Sequence, residues 1–170
     1  MSLKQLPLHM VASRTSGALS LLQQLLKVSP KDAKLAKDSE GSIPLFCSIE
    51  SGNLAVAKEL LLTHKQDQIL SMKDSNKDTA LHIACRKAEG DMIKLLVDSG
   101  AQVDIQNDDG HTPLHITAWL GDVTTLKYLY HVKANPDICD KVSALYLLRS
   151  SLTCPPQPLH TRYRRYFVFS

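Results

Sequence analysis

Three histidines, His9, His82 and His115, carry side chains that could bind a metal ion or transfer a proton, and each directly follows a leucine. They are 73 and 33 residues apart, so they fall in separate copies of one sequence pattern. Equivalent residues on packed helices lie roughly 8–10 Å apart, which is too far for the rings to share one metal ion. We therefore predict structural histidines, each bonded through its ring to the backbone of the neighbouring turn.

The other reactive groups give no catalytic pattern either. Asp108 and Asp109 are adjacent, but they lack the Asp-x-Asp-x-Asp-Gly loop and following Glu of a calcium site, so we expect a surface or contact role. The four cysteines show no paired spacing, and Cys47 and Cys85 fall on the apolar side of predicted helices as buried free thiols. The sequence has no phosphate loop, nucleophile elbow or HExxH. It predicts neither an enzyme nor a bound cofactor or metal.

The histidines belong to a short segment that recurs along the chain. It reads Thr112-Pro113-Leu114-His115, then Thr79-Ala80-Leu81-His82 upstream, with weaker copies Ile43-Pro44-Leu45 and Leu6-Pro7-Leu8-His9. Threonine can cap a helix, and proline suits the first helical position because its missing N–H would have no partner there. We predict helices at about 7–13, 18–27, 44–50, 54–63, 80–87, 91–99, 113–120 and 122–131.

The leucines of this segment are spaced by 37, 36 and 33 residues, which resembles the ankyrin repeat. The resemblance implies an all-α solenoid with an array over 1–149. It contains four helix-turn-helix repeats at about 4–37, 38–73, 74–106 and 107–139, and an incomplete fifth at 140–149. Residues 150–170 form an irregular basic and aromatic tail that we do not expect to fold. The structural repeat positions are Leu8, His9, Pro44, Leu45, Thr79, Leu81, His82, Thr112, Pro113, Leu114 and His115.

Stacked repeats expose one face, built from the finger turns between repeats and the exposed sides of each first helix. We call it the finger face. Trp119, the only tryptophan, is a candidate binding hot spot beside Leu120, although it could instead pack on Lys87 of the neighbouring layer. The full set of candidate partner-binding residues is Ser39, Glu40, Ser42, Glu50, Ser75, Asn76, Asp78, Arg86, Lys87, Asp108, Asp109, His111, Trp119 and Leu120.

Composition and charge point to a cytoplasmic chain. No signal peptide or stretch of roughly 20 apolar residues is visible, and unpaired cysteines suit a reducing compartment. The net charge of +3 belongs to the end of the chain, because residues 141–170 hold five basic and no acidic residues. Nucleic-acid binding through Arg162, Tyr163, Arg164, Arg165 and Tyr166 would rest on three arginines, and the sequence does not favour it.

A narrower resemblance is to the cytoplasmic N-terminal ankyrin array of the "no mechanoreceptor potential" type of mechanosensory TRP channel. It rests on Glu50-Ser51-Gly52-Asn53, Asp67-Gln68 and Leu126-Lys127-Tyr128 together with the general repeat residues. The resemblance implies a fragment of a spring or tether, at the cytoplasmic side of the plasma membrane, with microtubules, other cytoskeleton or neighbouring channel subunits as partners. The alternative is a stand-alone cytosolic adaptor that binds an unknown protein.

Overall fold

The computed structural model describes residues 7–14, 17–29, 33–62 and 66–141. These residues form antiparallel pairs of short helices stacked in layers, and they contain no strand, so the expected all-α solenoid is confirmed. The predicted repeat boundaries stay a prediction, and most of the incomplete fifth repeat and the whole tail at 150–170 lie outside the described residues. The helices are α1 Pro7–Ala12, α2 Ala18–Val28, α3 Pro44–Glu50, α4 Leu54–Leu61, α5 Gln66–Ser71, α6 Ala80–Lys87, α7 Gly90–Asp98, α8 Pro113–Leu120 and α9 Val123–His131.

The first helix of each repeat packs against the first helix of the next, and the second helices pack in a parallel row. Thus α1, α3, α6 and α8 form an inner layer, whereas α2, α4, α7 and α9 form an outer layer. The two layers enclose one aliphatic core, in which the repeated leucines Leu45, Leu81 and Leu114 are fully buried. Each repeat buries its apolar side mainly against its neighbours, as is typical of solenoids.

The ends of the inner helices follow from local chemistry. Pro44 and Pro113 occupy the first helical position of α3 and α8, where no N–H is needed. The helices α6 and α8 end at residues with left-handed backbone, Ala88 and Gly121, which lets the chain reverse into the outer helix. For α3, α6 and α8 the predicted bounds agree with the structure.

Two short elements were not predicted. A 3₁₀ turn at Ala33–Leu35 and helix α5 lie where the first two repeats are longer than the 33-residue period. Helix α5 adds Ile69 and Leu70 to the core. The extra residues therefore extend the packed layer instead of forming a surface loop.

Repeat two replaces the polar pair of the repeated segment with apolar residues. Ile43 and Phe46 occupy the positions that Thr79 and His82 occupy in repeat three, and both apolar side chains are completely buried. With both side chains apolar, neither carries a polar atom that would need a partner in the core, whereas Thr79 Oγ1 and His82 Nδ1 bond to each other in repeat three. The stack therefore accepts either a polar pair or an apolar pair at this position.

Candidate functional site

Two of the three repeated histidines, His9 and His82, bond through the ring to the backbone of the next finger turn. Thr79 N–H donates to His82 Nδ1 at 3.2 Å, and His82 Nε2 donates to the carbonyl oxygen of His111 at 3.0 Å. His9 Nε2 makes the same bond to the carbonyl oxygen of Ser42 at 2.9 Å. Each of these two rings thus ties an inner helix to the next finger turn. Burial, the largest influence, lowers the pKa of His82, which keeps the ring neutral.

The described residues also include possible metal ligands and free thiols. No cluster of three or more His, Cys, Asp and Glu side chains in these ranges could hold a metal ion. Cys47 and Cys85 are buried free thiols, and burial raises the pKa of Cys47 to about 11. A thiol with a raised pKa is a poor nucleophile at neutral pH.

The finger turns are built alike and bond to one another. Asp38, Asp74 and Asn107 each accept two backbone N–H groups of their own turn through the side-chain oxygen. Successive turns join through backbone bonds, from Asp108 N–H to the Asn76 carbonyl oxygen at 3.0 Å and from Lys141 N–H to the Asp109 carbonyl oxygen at 3.1 Å. These bonds connect the fingers of repeats three and four to each other and to the start of the finger that follows.

Asp78 was predicted as an exposed contact residue, and this was wrong. Its carboxylate is buried, accepts a hydrogen bond from Asn107 Nδ2 at 2.8 Å and pairs with the guanidinium of Arg86. An ionised carboxylate without such partners could not be buried at this depth. Asp78 thus joins the finger of repeat three to α6 and to the next finger, and it is not available to a partner.

A depression of about 310 Å³ lies between the finger turn 107–111 and the C-terminal halves of α6 and α8. Trp119 and Leu120 line it and are 75% and 50% exposed, which makes them prominent apolar groups on this face. The indole contacts His111 edge to face, with ring centroids 6.3 Å apart. The alternative, packing of the indole on Lys87, stays a prediction.

His111 was predicted as an exposed finger residue, but its side chain is only 22% exposed. Its Nε2 lies 3.6 Å from Asp140 Oδ2, and its ring contacts His115 as well as Trp119. His111 therefore forms one wall of the depression and holds the indole in place. The sequence could not show this, because the contact depends on how the finger folds back over α8.

The predicted partner-binding residues divide into two groups in the structure. Arg86, Asp109, His111, Trp119 and Leu120 meet at the depression, together with Asn107, His115 and Ile116, which the sequence did not indicate as contact residues. The others lie along the same face toward repeat two, where Ser39, Glu40 and Glu50 are exposed and Ser42 is half-buried. Ser75, Asn76 and Lys87 are exposed between these two groups. Asp108 forms an ion pair with Lys77, whose Nζ lies 2.5 Å from Asp108 Oδ1. Repeated spacing places residues on this face, but it does not show which of them enclose a depression.

Within the described part of the chain, no helix is both long and apolar enough to cross a membrane.

Comparison with known proteins agrees with this architecture. Residues 8–107 and 64–141 match the family profile of ankyrin repeats (3 copies). The chain is 30% identical over 123 residues to a transient receptor potential cation channel subfamily A member 1 homolog of Caenorhabditis elegans, a match that covers 72% of this chain and 10% of that protein. It is 30% identical over 98 residues to mouse NF-kappa-B inhibitor zeta, covering 58% of this chain and 14% of the relative. It is 33% identical over 91 residues to a putative ankyrin repeat protein of Rickettsia bellii, covering 51% and 54%.

The chain thus spans between about a tenth and about half of the length of these relatives. The relatives differ in kind, and what they share with this chain is the repeat itself. The chain has stacked helix pairs and finger turns joined by backbone bonds, and it matches the family profile over most of its length. It therefore belongs to the ankyrin-repeat family.

Proposed function

We propose that this chain is a non-enzymatic protein-binding module whose partner docks on the finger face at the depression around Trp119. The observation that supports this most strongly is the exposure of Trp119 and Leu120 side by side at the depression. Exposed aromatic side chains set in a pocket with a polar rim are typical of interface hot spots. Here the polar rim is supplied by Arg86, Asn107 and Asp109.

Panning of a random peptide library displayed on phage against the purified protein tests this proposal. Selected peptides are labelled, and their affinity is measured by fluorescence polarisation. We expect Trp119→Ala to weaken binding by roughly 30-fold or more, since hot-spot truncations cost at least about 2 kcal/mol. Leu62→Ala is the matched control, because Leu62 is also 75% exposed but lies at the end of α4, outside the finger face.

Equal affinity of all selected peptides for the Trp119→Ala variant would contradict a docking site at this depression. Loss of binding in the Leu62→Ala variant as well would point to general destabilisation of the array.

A second, narrower proposal is that the module is part of the cytoplasmic tether of a mechanosensory TRP-type cation channel. The resemblance in Glu50-Ser51-Gly52-Asn53, Asp67-Gln68 and Leu126-Lys127-Tyr128 supports it, and so does the match to a cation channel homolog over 72% of the chain. The similar identity to NF-kappa-B inhibitor zeta favours the alternative, a cytosolic adaptor with a different protein partner.

Sequencing of full-length transcripts distinguishes the two. Further in-frame repeats followed by six apolar segments would support the channel, whereas stop codons present in independent transcripts would support the adaptor. Co-sedimentation of the purified chain with microtubules then tests the tether itself. If the chain stays in the supernatant at every tubulin concentration, the tether proposal loses its expected cytoskeletal partner.

A further inference from the structure

Three exposed side chains of different chemistry occupy the same position on three successive inner helices. Glu50 on α3, Arg86 on α6 and Trp119 on α8 each follow the buried leucine of their repeat by five residues, and all three are exposed. Because α3, α6 and α8 pack side by side, these side chains form a row on the finger face. Packed helices lie about 8–10 Å apart, which sets the spacing of the row.

The repeat-two end of the row is anionic. Glu50 forms no ion pair with any residue that the structure describes, and the exposed carboxylate of Glu40 belongs to the finger turn of the same repeat. The pKa of the buried Cys47 thiol responds to these nearby negative charges. After burial, the largest cause of its raised pKa is Glu50, followed by Asp38 and Glu40. A cationic side chain of a partner would be stabilised at this end.

The middle of the row presents the exposed N–H donors of Arg86 and the positive charge of Lys87. Arg86 pairs with buried Asp78 through Nη2, its side chain is half exposed, and a guanidinium has five N–H donors. The adjacent Lys87 is exposed and has no ion pair among the described residues. An acidic side chain of a partner is therefore favoured here.

The third position is apolar. Trp119 and Leu120 are exposed, Ile116 is half-buried beside them, and all three line the depression. The depression can accept one aliphatic or aromatic side chain, and the finger residues Asn107 and Asp109 can satisfy the backbone of a bound chain at its rim.

The spacing of the row matches the side-chain interval of a polyproline II partner. A polyproline II helix has three residues per turn and rises about 3.1 Å per residue, so side chains three apart project from one side at about 9.3 Å intervals. This interval fits the spacing of the inner helices. In a β-strand, residues three apart point to opposite sides and could not contact the row together.

We propose that the finger face binds a polyproline II segment of a partner protein carrying a basic, an acidic and an apolar residue at positions i, i+3 and i+6, or in the reverse chain direction. The basic residue contacts Glu50, the acidic residue contacts Arg86 and Lys87, and the apolar residue enters the depression at Trp119. This inference rests on the proposed docking at Trp119 and specifies the chemistry of the segment that docks.

Synthetic peptides test the inference directly. The matched probe is fluorescein-labelled Lys-Pro-Pro-Glu-Pro-Pro-Leu, tested in both chain directions. The comparison peptides keep its composition in a permuted order, Glu-Pro-Pro-Leu-Pro-Pro-Lys, or shorten the spacing to Lys-Pro-Glu-Pro-Leu. We expect the matched peptide in one direction to bind at least about tenfold more tightly than the permuted peptide and the shortened one.

A charge exchange locates the contact. Glu50→Lys should weaken the matched peptide by about tenfold and strengthen the variant peptide Glu-Pro-Pro-Glu-Pro-Pro-Leu by a similar factor. Asp91→Lys is the matched control, because it makes the same change of charge on α7 at an exposed residue away from the row. It should change neither affinity by more than about twofold.

The inference would be overturned if the matched and permuted peptides bound with equal affinity, or if the matched peptide did not bind. It would also be overturned if Asp91→Lys changed the affinities as much as Glu50→Lys does. The broader proposal, that a partner docks at Trp119, is tested by a different result. Peptides selected from the phage library that depend on Trp119 but lack this charge pattern would leave the docking site standing and reject the polyproline II pattern.

Discussion

The backbone N–H at the start of inner helix α6 determines which ring nitrogen of the histidine three residues later carries the proton. A backbone N–H can only donate, so the bond from Thr79 N–H requires His82 Nδ1 to be unprotonated. The carbonyl oxygen of His111 can only accept, so the proton resides on Nε2. A second proton on the buried ring would break the bond to Thr79, which agrees with the lowered pKa of His82.

We therefore expect the free energy of unfolding to decrease as the pH falls below about 6.5. The folded-state pKa of His82 lies below the unfolded value of 6.5, so in this range the unfolded chain binds a proton that the folded chain does not. One such group contributes a slope of at most about 1.4 kcal/mol per pH unit. Urea denaturation between pH 7.5 and 5.0 measures it.

The control is the double variant Thr79→Ile with His82→Phe, which copies the apolar pair Ile43 and Phe46 of repeat two. Its slope should be smaller than that of the natural sequence by the His82 contribution. The same slope in both proteins would show that His82 is not the group that titrates.

Truncation of a repeated leucine should be far more costly than truncation of an exposed one. Leu114→Ala removes a fully buried side chain between α6 and α9, and we expect a loss of about 2–5 kcal/mol in the free energy of unfolding. Leu120→Ala, at the end of the same helix, is the control and should cost less than about 1 kcal/mol, since its side chain is half exposed. A loss below about 1 kcal/mol for Leu114→Ala, measured by chemical denaturation, would mean that the register of repeat four is wrong.

At the scale of the element, the finger turns depend on close backbone contact more than on side chains. Gly110 has φ +80°, and a Cβ atom there would lie 2.8 Å from the backbone nitrogen of Lys141. That nitrogen donates to the Asp109 carbonyl oxygen, so the contact and the link between fingers share one atom. Gly100 also has a positive φ of +93°, but nothing lies within 4 Å of the added atom.

Comparing alanine substitutions at these two glycines separates the cost of a left-handed backbone from the cost of a steric clash. Gly100→Ala should cost about 1–2 kcal/mol for the left-handed backbone alone. Gly110→Ala should cost at least about 1 kcal/mol more, because the fingers must also move apart. Thermal unfolding of both variants measures the difference in stability. Equal losses of stability would show that the turn at 107–111 can move to accommodate the added Cβ atom without a further free-energy cost.

The inner helices could be predicted from sequence, but several contacts between layers could not. Threonine or proline at the start of the segment and the period of about 33 residues were enough for α3, α6 and α8. Helix α5 has no such start signal and was missed, although Ile69 and Leu70 beside a lengthened repeat indicated extra buried chain. Asp78 was misplaced because its partners, Arg86 and Asn107, come from a helix and from the next finger. A repeat pattern gives the place of a residue within its layer, but not its partners in the adjacent layer.

At the scale of the whole molecule, stability comes from contacts between neighbouring layers. In the described part of the chain, α6 packs against inner helices on both sides, α3 and α8, whereas α1 packs against a single inner neighbour, α3. Within this chain, α1 should therefore open more readily than α6.

Amide hydrogen exchange followed by mass spectrometry tests this order. We expect the amides of α6 to exchange at least about tenfold more slowly than those of α1, because opening of α1 breaks one interface between inner helices whereas opening of α6 breaks two. Uniform protection across all inner helices would instead show that the array unfolds as a single cooperative unit.

The first and fourth residues of the repeated segment form a buried pair, which is Thr with His in repeats three and four and Ile with Phe in repeat two. This pairing limits how the sequence of a repeat can change during evolution. A single substitution from one pair toward the other removes the hydrogen bond between the two side chains, Thr79 Oγ1 and His82 Nδ1 in repeat three, at a cost of about 0.5–1.5 kcal/mol. Repeat one has the mixed sequence, Leu6 with His9, at the equivalent positions. The two positions are therefore epistatic. An evolutionary path between the two pairs must either change both residues together or pass through a less stable ancestor whose other layers keep it folded.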